Sequence, residues 1–294
     1  MMVRRAQPWL GTLVEIVAEG VDMSTLLGAS GRAFARVAAI HAAMSFQSSD
    51  SELTRVNRTA QSGWAALSPD LAAVFAAALG FADASDGLFD PSVAGWLVES
   101  GLLPRHAGFP DAPHPDWRAV ELDGDRVRFA APLLVDLSGI AKGYAVDVAL
   151  ASLRADCVAA ATVNAGGDLA RFGDEAVPVH VRLPHQPTHS LHLAGLKNGA
   201  AATSAGYFQP DALRHPATGH RLCAHTSVTV LAADCMTADA LTKVVAADAA
   251  RAPQLLALHS AQAIVLDGTP GAHGARATRC DADGWHDLPL EFTA

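Results

Sequence analysis

The sequence predicts an α+β fold, a mixed and largely antiparallel sheet core flanked by helices. Three observations carry this. Long segments place apolar residues at helical spacing, short apolar runs are joined by hairpin signals, and the two kinds mix without the regular β-α-β repeat of a doubly wound parallel sheet. At 294 residues, half of them hydrophobic and 17% charged, the chain can bury a sizeable core. With no internal repeat and no low-complexity linker, residues 1–294 are expected to form one domain.

Thr12 to Ala18 reads as a short apolar strand, and Met23 to Met44 as a long helix. Asp70 to Ser85 is a second helix, with Ser68-Pro69 as its start and Asp86-Gly87 as its stop. Phe109 to Asp116, rich in Pro, His and Asp, is expected to be an exposed loop. Ala119 to Leu122 and Arg126 to Phe129 flank an Asp-Gly-Asp hairpin signal. Ile140 to Arg154 follows Gly139 as a helix, and Val158 to Val163 is a buried strand ending in a glycine turn. Val177 to Leu183 and Ser190 to Leu196 alternate like paired antiparallel strands. Ser227 to Ala232 is a strand, Thr237 to Ala247 a helix, and Ala263 to Leu266 a late strand.

Bulk properties narrow the function. The formal net charge of −9 argues against a nucleic-acid partner, whose phosphates need clustered Lys and Arg. No stretch of about 20 apolar residues is present, so no membrane span is expected. Met1 to Trp9 has two arginines but no apolar core or cleavage site, so it does not read as a signal peptide, and a cytoplasmic location is expected. Cys157, Cys223, Cys235 and Cys280 are scattered without a CxxC spacing, as free thiols in a reducing compartment would be. His180, His185, His189 and His192 cluster, but their spacing fits no common metal motif, and they read as surface and turn histidines.

Four segments carry chemistry. In Asp136-Leu-Ser-Gly-Ile-Ala-Lys-Gly-Tyr-Ala-Val-Asp147, Ser138 and Gly139 suit a helix N-terminus that favours an anion, and Lys142 could reach a phosphate one turn in. Asp136, at the end of an apolar strand, suits a ring N–H. An ordinary strand-to-helix turn fits the segment as well. In Val163-Asn-Ala-Gly-Gly-Asp-Leu169, Gly166 and Gly167 permit positive φ and close approach to a ligand, and Asp168 either faces that ligand or caps its own turn. Thr203-Ser204-Ala-Gly-Tyr207 and His215-Pro-Ala-Thr-Gly219 fit a snug polar pocket, or two plain loops. In Asp234-Cys-Met-Thr-Ala-Asp-Ala-Leu-Thr-Lys243, Asp239, Thr242 and Lys243 share one helical face. That face suits Mg²⁺, a hard cation that prefers oxygen, or an Asp–Lys surface ion pair.

Taken in order, these segments resemble the ApbE family of flavin transferases over nearly the whole chain. Leu10-Gly-Thr12 is similar to the family's opening Met-Gly-Thr, and Ser51-Glu-Leu-Thr-Arg-Val-Asn57 to its Ser-Glu-Leu-x-Arg-Leu-Asn. Asp86-Gly-Leu-Phe-Asp-Pro91 matches Asp-Gly-x-Phe-Asp-Pro. Asp136 to Asp147 matches with one change, Asn164-Ala-Gly-Gly-Asp168 is identical, and Ala238-Asp-Ala-Leu241 matches a late helix.

The resemblance implies a T-fold-like architecture with FAD in a cleft, where two subdomains could meet. It implies an enzyme that moves FMN from FAD to a Thr or Ser hydroxyl of an acceptor flavoprotein, releasing AMP. FAD would lie on Asp90, Asp136 and Lys142, among Leu10, Gln47, Leu88, Phe89, Gly166, Gly167, Asp168, Ser204 and Leu213. Gln47 stands where the family often has an aromatic flavin contact. The Gly139 carbonyl, Asp239 and Thr242 would hold Mg²⁺ at the pyrophosphate.

Two departures bear on catalysis. Lys243 stands where many members have a metal-ligating Thr, and a protonated lysine cannot ligate Mg²⁺. Its ammonium is expected to replace part of the metal's charge beside Asp239, so Mg²⁺ would bind weakly or go unused. The family's His-Ile-Ile-Asp-Pro-x-Thr-Gly reads Ala212-Leu-Arg-His-Pro-Ala-Thr-Gly219 here. The expected His is Ala212, which leaves His215 either as a substitute general base or as a loop histidine. FAD hydrolysis to FMN and AMP, or FAD binding without catalysis, are the competing readings.

Overall fold

A computed structural model of the protein describes residues 1–112, 114–184, 186–206, 213–223, 225–268 and 276–289. The chain opens with a hairpin, β1 (Met2–Trp9) and β2 (Thr12–Glu19), followed by α1 (Met23–Met44) and α2 (Glu52–Thr59). Next come β3 (Ala65–Ala66), α3 (Pro69–Ala84), α4 (Ala94–Glu99), β4 (Val120–Asp123) and β5 (Arg126–Phe129). The second half holds α5 (Ala141–Ala155), β6 (Ala160–Ala165), β7 (Asp168–Phe172), β8 (Val177–Leu183), β9 (Gln186–Leu196), β10 (Gly199–Ala205) and β11 (Thr226–Ala232). It ends with α6 (Cys235–Ala247), α7 (Ala252–Leu258), β12 (Gln262–Asp267), β13 (Arg276–Asp281) and β14 (Gly284–Leu288).

Nine strands form one antiparallel sheet in the order β1-β2-β6-β7-β10-β11-β12-β13-β14. The expected α+β class with an antiparallel core is therefore what the chain adopts. The two-residue period of a strand sends alternate side chains to opposite faces. Along β10, Ala200 and Ala202 join the two large apolar clusters that include α1, α5 and α6, while Ala201 turns to the ribbon of β8 and β9. The ribbon thus covers one face, and α1, α5 and α6 pack side by side on the other. The small residues of β10 let α6 approach closely.

Several boundaries differ from the sequence expectation for identifiable reasons. The α3 helix does start at Pro69, but the Ser68 side chain makes no capping bond. Instead the Glu52 carboxylate accepts from the Ser68 N–H at 2.7 Å. The segment 109–116 is not simply exposed: Phe109 and Ala112 are buried, and a Cβ on Gly95 would meet the Ala112 carbonyl oxygen at 1.9 Å. Only a glycine in α4 lets that loop lie down. The apolar strand expected to end at Asp136 contributes only an isolated parallel bridge, Val93 to Leu134. Of the four clustered histidines, His180 and His192 are exposed cross-strand neighbours with ring centroids 5.5 Å apart, and His185 lies outside the described residues.

Candidate functional site

The site forms where α5 and α6 overlap at their N-terminal ends, beside the β6–β7 turn. The two helices cap each other. Asp147, in the second turn of α5, accepts from the Cys235 and Met236 N–H groups at the start of α6, both at 2.8 Å. Asp239, one turn into α6, accepts from the Gly143 N–H of α5 at 3.1 Å. A carboxylate at each helix start satisfies free N–H donors and the positive end of the dipole. The approach is close: a Cβ on Gly143 would stand 2.3 Å from the Cys235 carbonyl oxygen. Gly143 is therefore a packing glycine.

Two charge pairs sit in this junction. Lys142 Nζ bonds the Asp168 carboxylate, and Lys243 Nζ bonds the Asp239 carboxylate and, at 3.0 Å, the Asp239 carbonyl. Both carboxylate side chains are 1% exposed. The expected face of Asp239, Thr242 and Lys243 exists, but the Asp–Lys pair is buried, not a surface pair. Burial alone would lower the Lys142 pKa, but attraction to Asp168 and Asp239 and the Asp168 hydrogen bond outweigh it, so Lys142 is held protonated. Asp168 does not cap its own turn; Asn164 does that, accepting from Gly167 N–H at 3.0 Å. The second Asp168 oxygen accepts from the Thr203 N–H at 3.2 Å, which fixes β10 against the junction. Ser204 and Thr242 are joined hydroxyl to hydroxyl at 2.7 Å, and Thr242 donates to the Asp239 carbonyl at 2.7 Å.

The glycine turns of the sequence meet here. Gly166 and Gly167 have φ of +65° and +106°, and Leu10 and Gly11 make the β1–β2 turn at φ +55° and +71°. A Cβ on Gly166 would strike Thr12 Oγ1 at 2.5 Å, so the two turns touch. Gly139 lies just before α5, with Lys243 and Phe89 beside it: a Cβ there would meet Lys243 Cε at 3.4 Å and Phe89 Cε2 at 3.5 Å.

The remaining carboxylates sit on two adjacent segments. Asp136 donates its N–H to the Pro91 carbonyl at 2.8 Å, which brings Asp90 and Asp136 onto neighbouring backbone. Asp90 accepts from Ser92 N–H and Oγ, and Asp136 from Ser138 N–H and Oγ. Burial pushes both carboxyls above their ordinary pKa, against those hydrogen bonds. Asn57 holds this segment in place. Its amide accepts from Val135 N–H and donates to Val135 C=O, both at 2.8 Å, as a backbone strand would. The Ser51–Asn57 segment is thus the helix that positions Asp136.

Leu10, Leu88 and Leu213 are partly buried against the core that contains Phe89. Gln47 is exposed, and Phe46 beside it faces inward against His106 and Phe109. His215 organises its own turn: its Nδ1 accepts from Ala217 N–H at 3.2 Å, and its carbonyl accepts from Gly219 N–H at 2.8 Å. With Nδ1 accepting, a neutral ring carries its hydrogen on Nε2 and has no second lone pair for a proton. Ala212 and Tyr207 lie outside the described residues. Asp147, Asn57 and Thr203 end or open motifs in the sequence, yet their tasks here are not marked by spacing, because their partners lie 88, 78 and 35 residues away.

A different concavity of about 320 Å³ is lined by Tyr144, Asp147, Arg154, Arg171, Asp234 and Met236. Its α5 residues lie round the helix from Lys142, and it holds neither Lys–Asp pair.

Among the described residues no three His, Cys, Asp or Glu side chains converge on a metal position. The donors expected for Mg²⁺ are already engaged. Asp239 Oδ1 faces an ammonium, its Oδ2 faces a backbone N–H, and the Thr242 hydroxyl bonds Asp239 and Ser204. The Lys243 stem lies against Gly139. These residues do not fit a divalent cation as they stand.

A sequence model of the ApbE family matches residues 10–265. The chain is 31% identical over 185 residues to an FAD:protein FMN transferase of Rhodobacter capsulatus, covering 56% of this chain and 34% of that protein. It is 30% identical over 234 residues to an FAD:protein FMN transferase of Haemophilus influenzae, covering 69% of this chain and 67% of that one. It thus spans about a third of the first relative's length and two thirds of the second's. The fold matches the crystal structure of the Pseudomonas stutzeri flavinyl transferase ApbE in its apo form, with a TM-score of 0.82 at 21% identity over 96% of each chain. It also matches the flavin transferase ApbE of Vibrio cholerae, with a TM-score of 0.77 at 23% identity, covering 98% of this chain and 96% of that one. Ordered motifs, fold and family match coincide, and the chain belongs to the ApbE family.

Proposed function

We propose that this protein is an FAD:protein FMN transferase, which binds FAD and passes FMN to a Thr or Ser hydroxyl of an acceptor flavoprotein. The observation that carries the reading is the Lys142–Asp168 pair beside the α5 N-terminus and the Gly166-Gly167 turn. An ammonium, helix-start N–H groups and bare backbone suit a diphosphate. Lys142 would exchange Asp168 for a phosphate oxygen. Asp90 and Asp136 would accept from flavin or adenine N–H groups, with Leu10, Leu88, Phe89 and Leu213 against the rings and Ser204 and Gly139 at the phosphates. In the transfer, the acceptor hydroxyl oxygen bonds the FMN phosphorus, the bond from that phosphorus to the AMP phosphate oxygen breaks, and AMP leaves. The hydroxyl proton passes to a base or to solvent. We read His215 as a turn residue, a reading supported by the bond its Nδ1 accepts from Ala217 N–H.

Among the described residues no helix is long and apolar enough to cross a membrane. We place the protein in the cytoplasm, a reading supported by four unpaired thiols, three of them buried. The acceptor would then be a soluble or cytoplasm-facing flavoprotein. The test is mass spectrometry after incubation with FAD, with and without an acceptor that carries a threonine flavinylation motif. An acceptor gaining one FMN less one water, with equimolar AMP, supports transfer. AMP without acceptor modification points to hydrolysis, and unchanged FAD points to binding alone.

A further inference from the structure

We infer that Lys243 is a tethered cation that takes the place of a divalent metal, so that the chain binds the FAD diphosphate with two ammonium groups and no Mg²⁺. The inference rests on the proposed FAD site and goes beyond it. Three observations carry it.

The first is position. The Lys243 stem packs against Gly139, and its Nζ bonds both the side chain and the carbonyl of Asp239, one turn back on α6. Thr242 donates to that same carbonyl. The ammonium therefore sits among Gly139, Asp239 and Thr242, the three residues whose oxygens would surround a metal. The second is charge. Asp168 and Asp239 are within electrostatic reach of each other and of the lysines. Each of the two ion pairs, Lys142–Asp168 and Lys243–Asp239, is formally neutral. In the FAD-free protein a divalent ion added between these pairs would stand next to ammoniums, with the carboxylate of each pair already neutralised by its own lysine. The third is donor occupancy. Asp239 Oδ2 accepts from Gly143 N–H, and Asp168 is divided between Lys142 and Thr203 N–H. Asp239 could offer Oδ1 to a metal only by releasing Lys243, and Oδ2 only beside the Gly143 N–H from which it already accepts.

The two lysines approach from different helices, Lys142 from α5 and Lys243 from α6. A diphosphate entering between the helix starts would meet a positive group on each side. Each carboxylate would return part of its hydrogen bonding to its own backbone donor, Thr203 N–H for Asp168 and Gly143 N–H for Asp239.

The test uses Mn²⁺, a paramagnetic hard cation, as the metal probe. Mn²⁺ is titrated into the purified protein with and without FAD and followed by the loss of its free-ion paramagnetic resonance signal. FAD binding is followed separately by flavin fluorescence, in EDTA and in millimolar Mg²⁺. Wild type is expected to leave the Mn²⁺ signal unchanged in both states and to bind FAD with the same Kd in EDTA and Mg²⁺. Lys243→Thr is expected to take up Mn²⁺ and to bind FAD about tenfold or more weakly in EDTA than in Mg²⁺. Stoichiometric Mn²⁺ uptake by wild type, or an FAD Kd that EDTA weakens as much in wild type as in the variant, overturns the inference. If Lys243→Thr does not fold, the wild-type Mn²⁺ titration decides alone. If wild type binds no FAD under any condition, the proposed function falls, while the Mn²⁺ result still reads the role of Lys243.

Discussion

The α5–α6 junction and the loop 213–223 both come from segments whose residue types suggested chemistry, yet they are built in opposite ways. The junction is non-local. Apart from the local Asp239–Lys243 pair, its ion pair and caps join residues 26 to 96 positions apart, and its carboxylates are buried. The loop is local. His215 bonds Ala217, Gly219 and His220, and Arg214 Nη1 bonds the Gly219 carbonyl at 3.1 Å. A site whose charges are held by distant chain segments is preorganised for a charged ligand, because no residue can leave without exposing another. The turn at His215 is held by bonds among residues 214–220, so a change of sequence there is expected to leave the junction undisturbed.

The contrast predicts effects of very different size. The largest is Lys142→Met. It leaves the Asp168 carboxylate buried without its cation, which should cost about 3–5 kcal/mol in urea unfolding and abolish FAD binding by fluorescence. An unchanged FAD Kd in a folded variant would remove the junction from the ligand site. Next is Asn57→Ala, which leaves the Val135 N–H and C=O without their partners. Each unsatisfied group should cost about 1–3 kcal/mol, and FAD affinity should fall because Asp136 is two links from Asn57. Rescue by Asn57→Asp would be incomplete, since a carboxylate accepts from Val135 N–H but cannot donate to its C=O.

How much of this was legible in the chain follows from the same distinction. The β6–β7 turn could be read because two glycines before an Asp demand positive φ locally, and the Asp239–Lys243 face could be read because helical spacing is local. The pairing of Lys142 with Asp168, and of Asp147 with the start of α6, could not. Nothing in a spacing of 26 or 88 residues specifies a contact. The β1 strand was missed because it is an edge strand with Arg4 and Arg5 in its middle and little apolar alternation. The β10 strand passed for a loop because its Gly-Ala-Ala-Ala-Thr-Ser-Ala composition is chosen to let α6 come close, not for strand propensity. The Ser51–Asn57 segment was identified by resemblance, but its task of holding Val135 is visible only in three dimensions.

A further effect depends on pH. Burial lifts the Asp147 carboxyl from 3.8 to about 7, against the two backbone N–H bonds that it accepts. A raised folded-state pKa means that the folded protein binds more protons than the unfolded chain between about pH 4 and 7. This group's contribution to stability therefore falls as pH rises through that window, by at most about 1.4 kcal/mol per pH unit. Thermal melts of Asp147→Asn should show a shallower fall from pH 4 to 7 than wild type. Parallel curves would show that Asp147 titrates as it does in the unfolded chain.

The smallest effect should come from the loop. His215→Asn keeps a side-chain acceptor for Ala217 N–H and should change stability by less than about 1 kcal/mol, with the FAD Kd within twofold of wild type. The rate of FMN transfer should hold as well. A loss of about a hundredfold in that rate, with FAD binding intact, would make His215 the general base and reverse the ranking of the two regions.

A crystal structure of the FAD complex tests the central claim most directly. The account predicts the diphosphate between the starts of α5 and α6, within hydrogen-bond reach of Lys142 Nζ and facing Lys243. A diphosphate bound away from both lysines, against the loop 213–223 or in the Arg154–Arg171 concavity, would contradict it.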